Sequence, residues 1–257
     1  MSWLIGLILA GGVGLSMGLL GGGGAVLAVP ILVYIMGVPV KSAVVMTLII
    51  IGTISLLGAL YHWRAGNLNV GKGLKFGLAM LPGSYLGGKI ATLPFVTGGL
   101  QMILLGVVMV IAAVLMLTRA SAPENATLDV YPKPFCRHCG LWMMTEGLGV
   151  GVLTGLVGVG GGFAIVPAMV LLGGTPIKQA IPTSLLVIAI SSVGGLLGYW
   201  GHVTLDVPLL IEFGVVTSVG LIGGLLLSRF VPVGMLQRLF GFLLIAVAGV
   251  IFLQARA

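Results

Sequence analysis

The residues of this sequence whose types and spacing could carry chemistry are mostly glycines and hydroxyls. Four consecutive glycines, 21–24, and a second cluster at 158–162, interrupted by Val159, each precede a short apolar run that contains a proline, Pro30 or Pro167. A run of glycines breaks a helix and bares its backbone. The N-terminus of the helix that follows offers unpaired N–H groups and a partial positive charge. Two such ends facing one cavity would bind an anion without a buried cation, which marks Gly22, Gly23, Gly24, Gly160, Gly161 and Gly162 as candidate binding residues. The same glycines can also serve only tight turns or close packing, and both readings are open at this point.

Hydroxyls lie on the apolar stretches downstream: Thr47, Thr53 and Ser55, then Thr183, Ser184, Ser191 and Ser192. Thr47, Ser55, Ser184 and Ser192 are the candidates for hydrogen bonds to an oxyanion, although such hydroxyls equally bond back to their own helix. Lys41 and Lys178, each two residues after a proline, stand at the starts of long apolar stretches, where they could draw an anion into a vestibule or anchor the chain at the interface. Arg64, beside His62 and Trp63, is a candidate for the other mouth or a topology signal. Cys136-Arg-His-Cys139 could form a redox pair or half of a metal site, but no second cysteine pair completes it, so neither a metal nor a cofactor is expected. The five acids fall in or near loops, with Glu146 the deepest, which argues against a buried carboxylate relay. Nothing resembles a P-loop.

The elements that must position these residues are membrane segments. Hydrophobic residues make up 59% of the 257 and charged residues 7%, where a soluble domain carries about a quarter charged residues; mean hydropathy is +1.26. At roughly 20 apolar residues per spanning helix, the chain has room for about eight to ten segments. The net charge of +7 comes from single basic residues between apolar runs, with no basic stripe, so nucleic acid is not an expected partner. The start, Met1-Ser-Trp-Leu-Ile, lacks a positive n-region and reads as a first membrane helix.

The chain repeats itself. Residue i matches residue i+137 without a gap from about 18 to 87: glycine cluster on glycine cluster, Gly37-Val-Pro-Val-Lys41 on Gly174-Thr-Pro-Ile-Lys178, Trp63 on Trp200, Phe76-Gly77 on Phe213-Gly214. Thr47 pairs with Ser184 and Ser55 with Ser192. Gly83-x3-Gly87 and its counterpart Gly220-x3-Gly224 read as packing motifs. Each copy shows five apolar stretches, of which 25–36 and 162–172 are too short to cross a bilayer and read as half-helices. Three units follow: a first transmembrane repeat 1–118, a polar cytoplasmic linker 119–140 and a second repeat 141–257.

Charge suggests how the copies insert. Residues 61–75 carry Arg64, Lys72 and Lys75, whereas the counterpart 198–212 carries Asp206 and Glu212 and no Lys or Arg. Opposite bias in equivalent loops is expected of inverted halves. Placing 61–75 in the cytoplasm puts nine of the twelve basic residues inside. The expected fold is therefore an all-α polytopic membrane protein of two inverted-topology repeats, about five helical segments each, with short broken or re-entrant half-helices after glycine-rich breaks.

The doubled Gly-x-Pro-x-Lys-x-Ala pattern (37–43 and 174–180) behind a glycine-rich break, with His62-Trp-Arg-Ala-Gly66 and a glycine-rich fourth helix, resembles the TauE/SafE sulfite exporter family over nearly the whole chain outside 119–140. The resemblance implies a carrier, not an enzyme, in the inner (plasma) membrane, with the lipid bilayer and a small anion such as sulfite, thiosulfate or a sulfonate as its partners. Alternating access between the inverted halves is the expected mechanism. The alternatives are a sulfur-relay protein using Cys136 and Cys139, which are not part of the general family pattern, and an anion channel.

Overall fold

The computed structural model describes residues 2–119, 139–158, 162, 165–166, 169, 175, 177–201, 203–228 and 233–254. Among them every regular element is helical: α1 (Ser2–Leu20), α2 (21–35), α3 (Val40–Arg64), α4 (Val70–Ala91), α5 (Gly98–Arg119), α6 (Cys139–Val157), α7 (Ile177–Gly198), α8 (Val207–Leu227) and α9 (Val233–Gln254). A helix closes its own backbone hydrogen bonds, which is what an apolar solvent demands. Cys136 and nearly all of the linker 119–140 lie outside the described residues; Cys139 opens α6.

The helix ends follow local chemistry that the repeat duplicates. Asn69 caps α4 by accepting from Lys72 N at 3.1 Å. Its counterpart Asp206 caps α8 by accepting from Leu209 N at 3.2 Å. Each leaves one fewer orphan N–H in the first turn. Gly21 and its counterpart Gly158 end α1 and α6 with φ of 71° and 75°, a left-handed conformation that a side chain would oppose.

The break after α1 is narrower than the glycine run suggests. Only Gly21 leaves the helical region; Gly22, Gly23 and Gly24 already belong to the seven-residue 3-10 turn Gly21–Leu27 that begins α2. The short helix therefore starts four residues before the expected 25–36 and continues through Ala28–Pro30 into the π turn Ile31–Ile35. It then doubles back along α1. A methyl built on Gly24 would lie 2.0 Å from Ser16 Oγ, and one on Gly6 would lie 2.8 Å from Met36 Cγ. Low indices on α1 meet high indices on α2, so the two form a hairpin with Gly21 at its tip.

Among the described residues, four stretches are long and apolar enough to cross a membrane: Trp3–Ile35, Val40–Arg64, Gln179–Gly198 and Val207–Leu227; the first is the hairpin just described. Large apolar side chains face outward over much of the surface, Ile8 at 67%, Val219 at 66% and Leu253 at 72% exposed among them. Such a surface belongs in lipid.

The first helix of each copy packs on the fourth helix of the other. Methyls on Gly83 and Gly87 of α4 would strike Leu148 O and Val152 O of α6 at 2.3 and 2.1 Å. Their counterparts Gly220 and Gly224 of α8 would strike Gly11 O and Leu15 O of α1 at 2.2 and 2.3 Å. In both pairs indices rise together, so the helices are parallel. The third helices, α3 and α7, cross antiparallel: Gly52 meets Ser192, Gly58 meets Leu185, and Gly195 meets Leu48. Small residues allow these close approaches, and dispersion and interhelical hydrogen bonds hold helices together in lipid.

Candidate functional site

The two glycine clusters meet. A methyl on Gly162 would lie 2.2 Å from both the carbonyl carbon and oxygen of Gly22, and one on Gly22 would lie 2.6 Å from Gly162 Cα. Main chain touches main chain here because neither residue has a side chain. Beside the contact runs α7. Ile188 Cδ1 lies 1.9 Å from a methyl placed on Gly22. Gly22 N donates to Ser184 Oγ at 3.5 Å, and that hydroxyl donates in turn to Ile181 O at 2.7 Å. A methyl on Gly21 would be 2.7 Å from Ile181 O; on its counterpart Gly158, one would be 2.3 Å from Cγ1 of Val44, the counterpart of Ile181.

The downstream hydroxyls fall into two groups. Thr53 bonds back to Ile49 O, Thr183 to Gln179 O, Ser184 to Ile181 O and Ser191 to Ile188 O. Thr47, Ser55 and Ser192 are 0%, 0% and 3% exposed, and their hydroxyl oxygens have no partner. Thr47, Ile51 and Ser55 repeat every four residues on one face of α3, as Ser184, Ile188 and Ser192 do on α7. A hydroxyl–isoleucine–hydroxyl stripe thus lies on each of the two antiparallel helices, both isoleucines fully buried. Leaving a buried hydroxyl unmatched costs about 1–3 kcal/mol. Three such groups lie on these two stripes.

The remaining sequence candidates are placed as follows. Gly23 and Gly24 are buried in the 3-10 turn, Gly24 against α1. Gly160 and Gly161 lie outside the described residues. Lys41 is half-buried at the second residue of α3, Arg64 is exposed at its last, and Lys178 occupies the second position of α7. Lys41 and Arg64 are thus a helix length apart, at opposite ends of α3. Trp63 and Trp200 stand 61% and 74% exposed, as interfacial anchors do.

Three features had no sequence signal. First, a cavity of about 350 Å³ opens at the start of α8, lined by Trp3, Met36, Asp206, Pro208, Leu209 and Glu212; Trp3 Nε1 donates to Glu212 Oε2 at 3.2 Å. Second, the opposite, basic end is drawn together, Lys72 Nζ donating to Thr175 Oγ1 at 3.2 Å and Asn69 N to Thr183 Oγ1 at 3.2 Å. Third, Gln101 Nε2 and Tyr199 Oη both donate to Leu156 O, at 2.9 and 3.2 Å, and so cap the last turn of α6. Gln101 Nε2 also reaches Tyr199 Oη at 3.0 Å. Burial pushes the Tyr199 phenol above its usual pKa and keeps it a donor.

Unequal ends go with unequal packing of equivalent pairs. A methyl on Gly77 of α4 would strike Ile190 Cδ1 of α7 at 2.7 Å, while its counterpart Gly214 on α8 has 3.8 Å to Ile50 of α3.

A lipid-facing surface and several long apolar helices define a multi-pass membrane protein. Residues 6–253 match the family model described as Sulfite exporter TauE/SafE, and the chain belongs to that family. It is 33% identical over 241 residues to a Xylella fastidiosa (strain 9a5c) protein, covering 92% of this chain and 89% of that one. It is 27% identical over 246 residues to YdhB of Bacillus subtilis (strain 168), covering 93% and 96%, and 28% identical over 222 residues to MJ0441 of Methanocaldococcus jannaschii, covering 80% and 79%. All three relatives carry the name "Probable membrane transporter protein". No solved structure matches the chain. The protein is a membrane transporter, with a lipid bilayer around it and a small molecule as substrate.

Proposed function

We propose that this protein is a secondary carrier of the inner (plasma) membrane that moves a small sulfur-containing oxyanion or organic anion, without chemical conversion, by alternating access between two inverted halves. The observation that carries this reading is the contact of Gly22 with Gly162 beside α7, and the buried, unpaired hydroxyls of Thr47, Ser55 and Ser192 on α3 and α7 support it. Main-chain amides and hydroxyls donate to an oxyanion at no cost of a buried cation. The antiparallel crossing of α3 and α7 and the exchanged packing of α1 on α8 and α6 on α4 support inversion. The unequal environments of Gly77 and Gly214 support two alternative packings of one arrangement, one mouth drawn together while the other stands open. The units 1–118 and 141–257 are then the moving halves and 119–140 their cytoplasmic connection.

An inside-negative potential favours anion exit by about 2.3 kcal/mol per charge per 100 mV, enough to drive export without a coupling ion. The test is uptake and counterflow in proteoliposomes with labelled sulfite, thiosulfate, a sulfonate and a monocarboxylate. Saturable counterflow of at least one is expected. Flux without saturation or counterflow would make the protein a channel, and no flux of any of the four would remove the anion-carrier reading.

A further inference from the structure

The described part of the proposed binding region carries no formal charge. Among the residues whose side chains are described, no Lys, Arg, His, Asp or Glu is fully buried, the buried polar residues being Ser, Thr and Gln, although single atoms of His62 and Glu146 are buried. The stretch 159–176, which holds the second glycine cluster, contains no ionisable side chain. Lys41 and Lys178 stand at the outer turns of α3 and α7, and Lys72 is bonded to Thr175. Half-buried titratable groups include Lys41 in the first turn of α3, His62 in its last turn and Glu146 in the first half of α6, none of them on the Thr47–Ser55 or Ser184–Ser192 stripe.

A neutral site treats charge in a particular way. The attraction of fixed N–H and O–H dipoles for an ion grows in proportion to its charge, whereas the cost of taking the ion out of water grows as the square. Doubling the charge therefore doubles the gain and quadruples the loss. A site with a buried lysine or arginine would escape this limit.

From this, and resting on the anion-carrier reading above, we infer that the site accepts its substrate as a singly charged anion and turns away dianions. Sulfonates and carboxylates with one charge qualify, sulfurous acid is carried as hydrogen sulfite, and sulfate and thiosulfate are excluded. The three unpaired hydroxyls act as donors to the oxygens of the monoanion.

The experiment uses the full chain in proteoliposomes with the potential clamped at zero and protein-free vesicles subtracted. Initial uptake of labelled methanesulfonate, sulfite, sulfate and thiosulfate is followed on both sides of the second ionisation of sulfurous acid. Methanesulfonate keeps one charge throughout and reads any titration of the protein itself. Relative to it, sulfite uptake falls about tenfold per pH unit once the dianion predominates, and sulfate and thiosulfate stay at background. The power of sulfite to compete with methanesulfonate falls over the same range. Sulfite uptake that ignores pH, or thiosulfate uptake at the methanesulfonate rate, overturns the charge rule and leaves the carrier intact. Absence of all four fluxes overturns the charge rule together with the sulfur-anion carrier.

Discussion

Gly22 and Gly162 stand in main-chain contact, so close that a single methyl on Gly162 would lie 2.2 Å from the Gly22 carbonyl carbon. One belongs to the glycine cluster after α1 and the other to the cluster after α6, and nothing but the absence of side chains lets them meet. The proposed site is organised around this contact.

Gly22→Ala and Gly162→Ala are expected to lower transport at least about tenfold each, because the backbone opposite cannot retreat as a flexible side chain would, an overpacking cost of about 1–3 kcal/mol. Membrane insertion and yield should persist, as the remaining helix contacts are untouched. Pairing Gly22→Ala with Ile188→Val relieves the clash with the isoleucine but not that with Gly162, so activity should stay low. Normal counterflow in both single variants would reduce the glycines to fillers.

Thr47→Val separates binding from packing. The hydroxyl is fully buried and unpaired, so an isosteric apolar replacement should raise stability by about 1 kcal/mol while transport falls. Thermal unfolding in detergent and counterflow measured on the same preparation check the two signs. Loss of stability would show that Thr47 has a structural partner.

Lys72→Met and Thr175→Val should loosen the basic end, where the pair is bonded at 3.2 Å. In a background with Cys136 and Cys139 replaced by Ser, a cysteine at Leu186, which packs on Gly73, should react faster with a polar thiol reagent from that side. Unchanged labelling would mean that the bond does not hold this mouth closed.

Tyr199→Phe bears on alkaline stability. Burial raises the phenol's pKa above its ordinary value of about 10, so the folded chain keeps a proton that the unfolded chain releases. Stability is then fully present below about pH 10 and declines as pH rises beyond it. The Phe variant should lose about 0.5–1.5 kcal/mol at neutral pH, with the bond to Leu156 O, and show a shallower alkaline decline. An identical alkaline slope in both proteins would place the titration elsewhere.

Much of this arrangement was legible because the repeat doubles every signal. Gly83, Gly87, Gly220 and Gly224 read as packing glycines from spacing alone, and the structure seats them on the carbonyls of α6 and α1. The caps Asn69 and Asp206 also fall at one offset, as do Gly21 and Gly158 with their left-handed φ. What periodicity could not give was the partner of each hydroxyl: Thr53 bonds to its own helix while Ser55, two residues on, is left unpaired. That difference depends on which helix lies across from each. The exact break was also hidden, since four identical glycines do not say which one takes the positive φ. Gln101 and Tyr199 are 98 residues apart, a separation that no local pattern reports.

In the proposed carrier the buried hydroxyls of Thr47 and Ser192, one from each copy, hold the transported anion. Melting of the purified protein with and without saturating methanesulfonate tests it without relying on flux. A ligand at about a hundred times its dissociation constant stabilises by about 2.7 kcal/mol. A clear rise in melting temperature is expected for the unaltered chain, lost in both Thr47→Val and Ser192→Ala. An equal rise in all three proteins would contradict it.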